Sequence, residues 1–221
     1  MNDRPAPLLL GRLSVLAAAV LWSTSGLFAK QDLFSVWPEA SRGALLAFWR
    51  ALFAALILLP FVRRPRWNWR LLPLGACFLA MNVSYLTSMT RTTAGNAIWL
   101  QAVYPWWVLL FSVAFFRQPV ARRDLVPLAF GALGVALILA MEFRHGGSLV
   151  GVVSGLASGL FYAGVVVLMW RLRAEDSAFL VALNHAATAL FLLPAVVCLD
   201  QWPSGRQLSV LAGFGILQMA I

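Results

Sequence analysis

The chain of 221 residues is 62% hydrophobic and 11% charged, with a mean hydropathy of +0.83, which excludes an ordinary soluble globular domain. Its net charge of +9 does not indicate a nucleic-acid partner, because no loop is long enough to fold into a basic surface. Cys77 and Cys198 lie in apolar runs, so we expect packed free thiols and neither a disulfide nor a metal site. These features predict an integral membrane protein without a cofactor.

Eight apolar runs follow one another along the chain. A helix needs roughly 20 apolar residues to cross a hydrocarbon core of about 30 Å, and seven runs approach that length. The eighth has only fourteen residues, so we expect a truncated chain. The predicted runs are Leu13–Ala29, Ala44–Val62, Leu71–Met89, Ala94–Phe116, Leu125–Met141, Leu149–Trp170, Phe179–Leu199 and Leu208–Ile221.

The first run resembles a signal peptide in its basic flank and its alanines. Those alanines lie inside the run and no soluble domain follows it, so a retained span is the preferred interpretation. Trp22, followed by Ser23, Thr24 and Ser25, interrupts this span near its middle. Because most membrane tryptophans lie at the headgroups, we interpret Trp22 as a candidate for stacking on a substrate or for gating.

The second and seventh runs contain a repeat, since Ala44–Pro60 and Ala178–Pro194 align at an offset of 134 positions. Arg50 then aligns with Asn184, which gives both copies a polar side chain at the same depth. Five spans separate the two starts, so the copies cross the membrane in opposite directions. Inverted repeats of this kind are typical of secondary transporters that work by alternating access.

Arg50 is the only cation within a predicted span. It could face a central cavity and hold a substrate carboxylate or phosphate, or it could snorkel to the outer headgroups or pair with a helix carbonyl. His185, beside Asn184, could serve as a proton relay or donate a hydrogen bond to a neighbouring helix. None of the eight acids lies at mid-span, and Glu142 comes closest, at an outer boundary.

The third and fourth spans supply further polar candidates. We expect their Ser and Thr residues to form hydrogen bonds between helices. Within the fourth span the three-to-four spacing places Asn96, Trp99 and Tyr104 near one face and Gln101 off it, while Pro105 should kink the helix or expose a carbonyl. In the sixth span Gly147, Gly151, Gly155 and Gly159, followed by Ala163, form a small-residue stripe whose interpretation is close helix packing.

Basic residues set the orientation, because cytoplasmic loops hold the excess of Lys and Arg. With a cytoplasmic amino terminus, eleven basic residues lie inside and five outside. We therefore expect a multi-pass protein of the bacterial inner membrane, with its amino terminus in the cytoplasm.

Short motifs in a fixed order also resemble the EamA-like type of the drug/metabolite transporter superfamily. They are Leu21-Trp22, Phe48-Trp49-Arg50, Thr92 to Ala97, Pro105 and Gly131 to Val135, and the resemblance covers roughly Gly11 to Ile221. Arg117-Gln118 replaces the Gly-Glu pair that these proteins usually show. The resemblance implies an all-α transmembrane bundle of two inverted five-helix repeats, at residues 11–141 and, truncated, at residues 148–221.

The combined prediction is a secondary transporter that moves a small metabolite, such as an amino acid or another small organic solute, with export as the expected direction. Its expected partners are the lipid bilayer and a small-molecule substrate, not nucleic acid, while proton coupling and a homodimer are left open. The alternatives are a non-transporting membrane scaffold and, less favoured, a membrane enzyme with a Ser158-His dyad. The predicted substrate site consists of Trp22, Arg50, Tyr85, Asn96, Trp99, Tyr104, Asn184 and His185.

Overall fold

The computed structural model describes residues 6–62, 65–117, 122–144 and 147–219. These residues form ten α-helices and two short 3₁₀ turns, and no strand occurs among them. The all-α prediction is thus confirmed. The helices are α1 (Ala6–Ser23), α2 (Ser25–Ala29), α3 (Glu39–Leu58), α4 (Leu71–Arg91), α5 (Ala94–Gln101), α6 (Tyr104–Phe116), α7 (Arg122–Arg144), α8 (Leu149–Arg171), α9 (Ser177–Leu199) and α10 (Gly205–Met219).

Seven helical segments in the described residues are long and apolar enough to cross a membrane, which confirms a multi-pass bundle. Two of these spans are composite, because α1 and α2 together form the first and α5 and α6 together form the fourth. The helix α10 has 15 residues and is shorter than the other spans.

Both composite spans are interrupted near the middle of the bundle. The first breaks at Thr24, where Gln218 of α10 donates through Nε2 to the Leu21 carbonyl at 3.1 Å and to Thr24 Oγ1 at 2.9 Å. The fourth breaks at residues 102–103, just before Pro105, whose ring nitrogen cannot donate a hydrogen bond to the preceding turn. Both interruptions therefore place backbone polar groups at mid-span, and at the first of them Gln218 supplies a hydrogen bond.

The small-residue stripe of α8 packs against α4 and α5, as the sequence predicts. A Cβ added at Gly155 would lie 2.7 Å from Leu100 Cβ, and one at Gly159 would lie 2.9 Å from the Gln101 carbonyl oxygen. Only glycine permits so close an approach, and it brings α8 against the break in the fourth span. Gly147 lies outside the stripe, since α8 begins at Leu149.

Around this contact, α3 packs on α4, α9 and α10, whereas α7 lies at the periphery against α5. The half of the bundle near the start of α3 has a continuous apolar core that includes Leu45, Phe48 and Met89. Little of α7 is buried, so most of its surface is available to lipid.

The helix α6 ends in an unusual conformation at Arg117. This residue has φ 51° and ψ 32°, the left-handed region in which a Cβ is sterically unfavourable. Gly is the residue that most often ends a helix in this way, and Gly is what the family resemblance implies at this position. The departure at Arg117 therefore leaves local backbone strain in the chain.

Candidate functional site

A cavity of about 890 Å³ lies in the middle of the bundle. Every described helix except α7 contributes to its lining, and α2, α6 and α10 contribute one residue each, namely Ser25, Tyr104 and Gln218. Its walls are mostly apolar, and its polar or aromatic polar lining residues are Trp22, Ser25, Arg50, Asn82, Tyr85, Gln101, Tyr104, Tyr162, Ser177, His185 and Gln218. The volume falls within the range of about 300–1,000 Å³ that is usual for small-molecule sites.

Arg50 is the charged group of this cavity. Its residue is only 2% exposed, and its Nη2 donates a hydrogen bond to Asn82 Oδ1. The guanidinium carbon lies 5.1 Å from the ring centroid of Phe214, within the range of a cation–π contact. Arg50 is thus held inside the bundle, which contradicts the alternative that it snorkels to the headgroups.

The positive charge of Arg50 has no acidic neighbour in the described part of the chain. No Asp or Glu is among the described lining residues, and the salt bridge between Arg91 and Glu39, at 3.3 Å, lies away from the cavity. The Nε of Arg50 is buried and has no hydrogen-bond partner among the described residues. Because buried charges are usually paired, this arginine favours an anionic ligand.

Tyrosine is concentrated at the cavity, since all three tyrosines of the chain line it. Tyr104 and Tyr162 pack edge to face with ring centroids 4.6 Å apart. Tyr85 of α4 lies beside Arg50 of α3. His185 packs edge to face on Phe78 at 4.9 Å, and its Nδ1 has no partner among the described residues. Aromatic rings therefore line the same cavity as Arg50.

Trp22 lies at the break of the first span and also lines the cavity. Its Nε1 donates to the Gln218 carbonyl at 2.9 Å, while half of the residue's surface stays exposed. The indole is thus fixed at one edge and open at the other, an arrangement that suits stacking.

Three of the residues predicted for the site do not line this cavity, namely Asn96, Trp99 and Asn184. Asn96 lies in the first turn of α5 and donates through Nδ2 to Glu142 of α7, so it joins two helices. Trp99 is 64% exposed on the outside of α5. Asn184 is buried, and its backbone carbonyl accepts a hydrogen bond from Thr188.

The grouping of Asn96, Trp99 and Tyr104 on one face is wrong because it assumes an uninterrupted helix. The helix is interrupted at residues 102–103, so Trp99 belongs to α5 and Tyr104 belongs to α6. Gln101 lines the cavity and lies, as predicted, off the face that carries Asn96 and Trp99.

Sequence reasoning also missed lining residues whose role depends on distant contacts. No sequence pattern links Asn82 to Arg50, and Gln218 contacts the first span although 194 positions separate it from Thr24. Tyr162 was overlooked, although a tyrosine at mid-span, away from the headgroup belts, is a usable signal.

The cavity extends toward one end of the bundle only. Its outermost lining residues include Leu58 at the end of α3, Met169 near the end of α8 and Ser177 at the start of α9. By the distribution of the basic residues, this end is the predicted cytoplasmic side.

The opposite end is closed by the apolar core and by polar contacts between helices. There Lys30 donates through Nζ to the Thr92 carbonyl, and Arg91 pairs with Glu39. Desolvation lowers the pKa of Lys30, while Glu142 opposes this effect. The cation is thus held close to carbonyl and carboxylate oxygens of neighbouring helices.

Comparisons with known proteins agree with this architecture. Protein PecM of Dickeya dadantii is 28% identical over 127 residues, which cover 56% of this chain and 41% of PecM. An uncharacterized transporter of Archaeoglobus fulgidus is 28% identical over 172 residues, which cover 76% of this chain and 58% of that protein. The chain thus spans about half the length of the curated relatives it matches.

The sequence profile of the EamA-like transporter family matches residues 9–140, which is more than half of the chain. The matched region covers the first five apolar runs, including Trp22, Arg50 and Tyr85 of the cavity. By this match and its multi-pass helical bundle, the chain belongs to the EamA-like transporter family.

Proposed function

We propose that this protein is a secondary transporter that moves a small organic solute across the cytoplasmic membrane by alternating access. The observation that carries the proposal is the mid-bundle cavity of about 890 Å³ with Arg50 buried in its wall. An intramembrane ionisable residue that faces a cavity is typical of a substrate or ion pathway. A scaffold or assembly subunit needs neither feature.

Helix contacts support the inverted repeat that this mechanism uses. Under the predicted repeat α3 is equivalent to α9, α4 to α10, and the first span to α8. The contacts of α4 with α8 would then correspond to those of α10 with α1 and α2, and the contacts of α4 with α9 to those of α10 with α3. Such pairs of contacts allow one half to rock against the other around a central site.

The proposed substrate site comprises Trp22, Arg50, Tyr85, Tyr104 and His185, all of which line the cavity. Export is the proposed direction, because the cavity reaches the end of the bundle that the basic residues assign to the cytoplasm. A solute would enter there and leave after the opposite, packed end opens.

The test is solute flux in proteoliposomes or cells that carry the full chain or its Arg50→Ala variant. We expect the variant to remain in the membrane and to lose flux, whereas Arg206→Ala, at an exposed arginine outside the cavity, should retain it. Equal flux for wild type and Arg50→Ala would contradict the proposal and favour the scaffold.

A further inference from the structure

We infer that the cavity binds an aromatic monocarboxylate that carries no ammonium group. This inference deepens the proposed function and rests on the same cavity. It assigns the carboxylate to Arg50 and the aromatic body to the surrounding rings.

The charge of the ligand follows from the charge inventory of the cavity. Arg50 is the one Lys or Arg among the described lining residues, and no Asp or Glu accompanies it there. A single carboxylate neutralises this cation, whose Nε–H has no partner among the described residues. A charge-assisted contact of this kind is stronger than one between neutral groups.

Other charge types fit the cavity less well. The ammonium group of an amino acid would be buried without a described acidic partner, at a desolvation cost that the lining does not offset. A phosphate dianion would keep one uncompensated negative charge beside apolar walls. The charged residues that line the cavity thus favour a monoanion as ligand over a zwitterion, a cation or a dianion.

The body of the ligand follows from the walls. Trp22, Phe78, Tyr85, Tyr104 and Tyr162 all line the cavity, and the described aliphatic lining residues fill the space between them. Aromatic rings favour edge-to-face and offset-stacked partners, a geometry already present between Tyr104 and Tyr162. A bare small anion such as acetate would leave these faces without a partner.

The experiment compares ligands that share one ring and differ in charge. Phenylacetate, phenylacetamide, phenethylamine and phenylalanine are titrated by calorimetry into the full chain in nanodiscs at neutral pH, with acetate and phenyl phosphate as further probes. We expect phenylacetate to bind at least about tenfold more tightly than every other probe, as one charge-assisted contact allows.

Two arginine variants separate this interaction from a general loss of structure. Arg50→Gln should reduce the preference for phenylacetate over phenylacetamide to about twofold, yet leave the weak affinity for phenylacetamide unchanged. The exposed Arg206→Gln should leave both affinities unchanged. Retained phenylacetamide binding shows that the Arg50→Gln variant is folded.

The inference is overturned if phenylalanine, phenethylamine or acetate binds as tightly as phenylacetate or more tightly. It is also overturned if phenylacetate does not bind at millimolar concentration, or if Arg50→Gln keeps the full preference for phenylacetate over phenylacetamide. Flux of another solute that depends on Arg50, without phenylacetate binding, overturns the inference but supports the transporter. Selective phenylacetate binding without any flux in liposomes supports the inference and contradicts the transporter.

Discussion

At the residue scale, Asn82 decides how much of the Arg50 charge is left for a ligand. The amide oxygen accepts one hydrogen bond from Arg50 but supplies no negative charge. We expect Asn82→Asp to provide an internal counter-ion, which raises the thermal unfolding midpoint and abolishes binding of anionic substrates. Unfolding of purified protein and phenylacetate titration measure the two effects.

The isosteric exchange at Asn82 leaves the size of the side chain unchanged, so a packing defect is not expected. Asn82→Ala serves as the comparison, since it removes the hydrogen bond and should lower stability by about 1–3 kcal/mol. Undiminished anion binding in Asn82→Asp would show that Arg50 does not hold the substrate.

Arg117 offers a second residue-scale prediction, at the end of α6. Because its φ of 51° is unfavourable for a side chain, we expect Arg117→Gly to raise stability by up to about 1 kcal/mol. The thermal unfolding midpoint in detergent measures this change. Asp200, with φ 49°, is a less suitable target, because its carboxylate also accepts from Trp202 Nε1 at 3.0 Å. A lower midpoint for Arg117→Gly would mean that a contact of the arginine side chain stabilises the protein by more than the backbone strain destabilises it.

At the element scale, the stripe on α8 provides a matched pair of glycines. Gly155→Ala would bring Cβ within 2.8 Å of Ser88 Oγ and 2.7 Å of Leu100 Cβ, so we expect a loss of about 1–3 kcal/mol from overpacking. Gly134→Ala on α7 meets nothing within 4 Å and should be neutral or stabilising by roughly 0.5–1 kcal/mol. Denaturant unfolding of both variants in the same detergent tests this contrast. Equal effects at the two sites would contradict the close packing of α8.

The elements also show where sequence reasoning works. Hydropathy located the spans because lipid requires about 20 apolar residues in any order, and the third span, predicted at Leu71–Met89, is helical over Leu71–Arg91. The prediction of a shared face in the fourth span was wrong because helical spacing holds only within one unbroken helix. The break lies just before Pro105 and beside the closely packed α8, and neither its position nor that contact follows from the spacing. Contacts such as Arg50 with Asn82 join separate spans, so no local pattern identifies them.

At the scale of the whole molecule, one end of the bundle is open to the cavity and the other is packed. In a background without Cys77 and Cys198, we expect Ser177→Cys to react with an impermeant thiol reagent from the cytoplasmic side only. Ala47→Cys, at a fully buried position of the packed half, should stay unreactive in this state. Transport conditions that populate the outward-open state should expose Ala47→Cys from the opposite side.

Sided labelling in right-side-out and inside-out vesicles measures these reactivities. Exposed Arg206→Cys, outside the cavity, provides a control for sidedness that conformational exchange should not change. Constant protection of Ala47→Cys under all transport conditions would contradict alternating access.

The surroundings of Arg50 also have a consequence for biosynthesis. The arginine belongs to the second span, whereas Asn82 comes from α4 and Phe214 from α10, the last helix described. During translation, Arg50 therefore lacks these contacts until the later helices have been synthesised. A charge exposed to lipid costs several kcal/mol. A nascent chain released before α10 emerges would expose that charge, so membrane quality control would have a chemical means of distinguishing unfinished copies from finished ones.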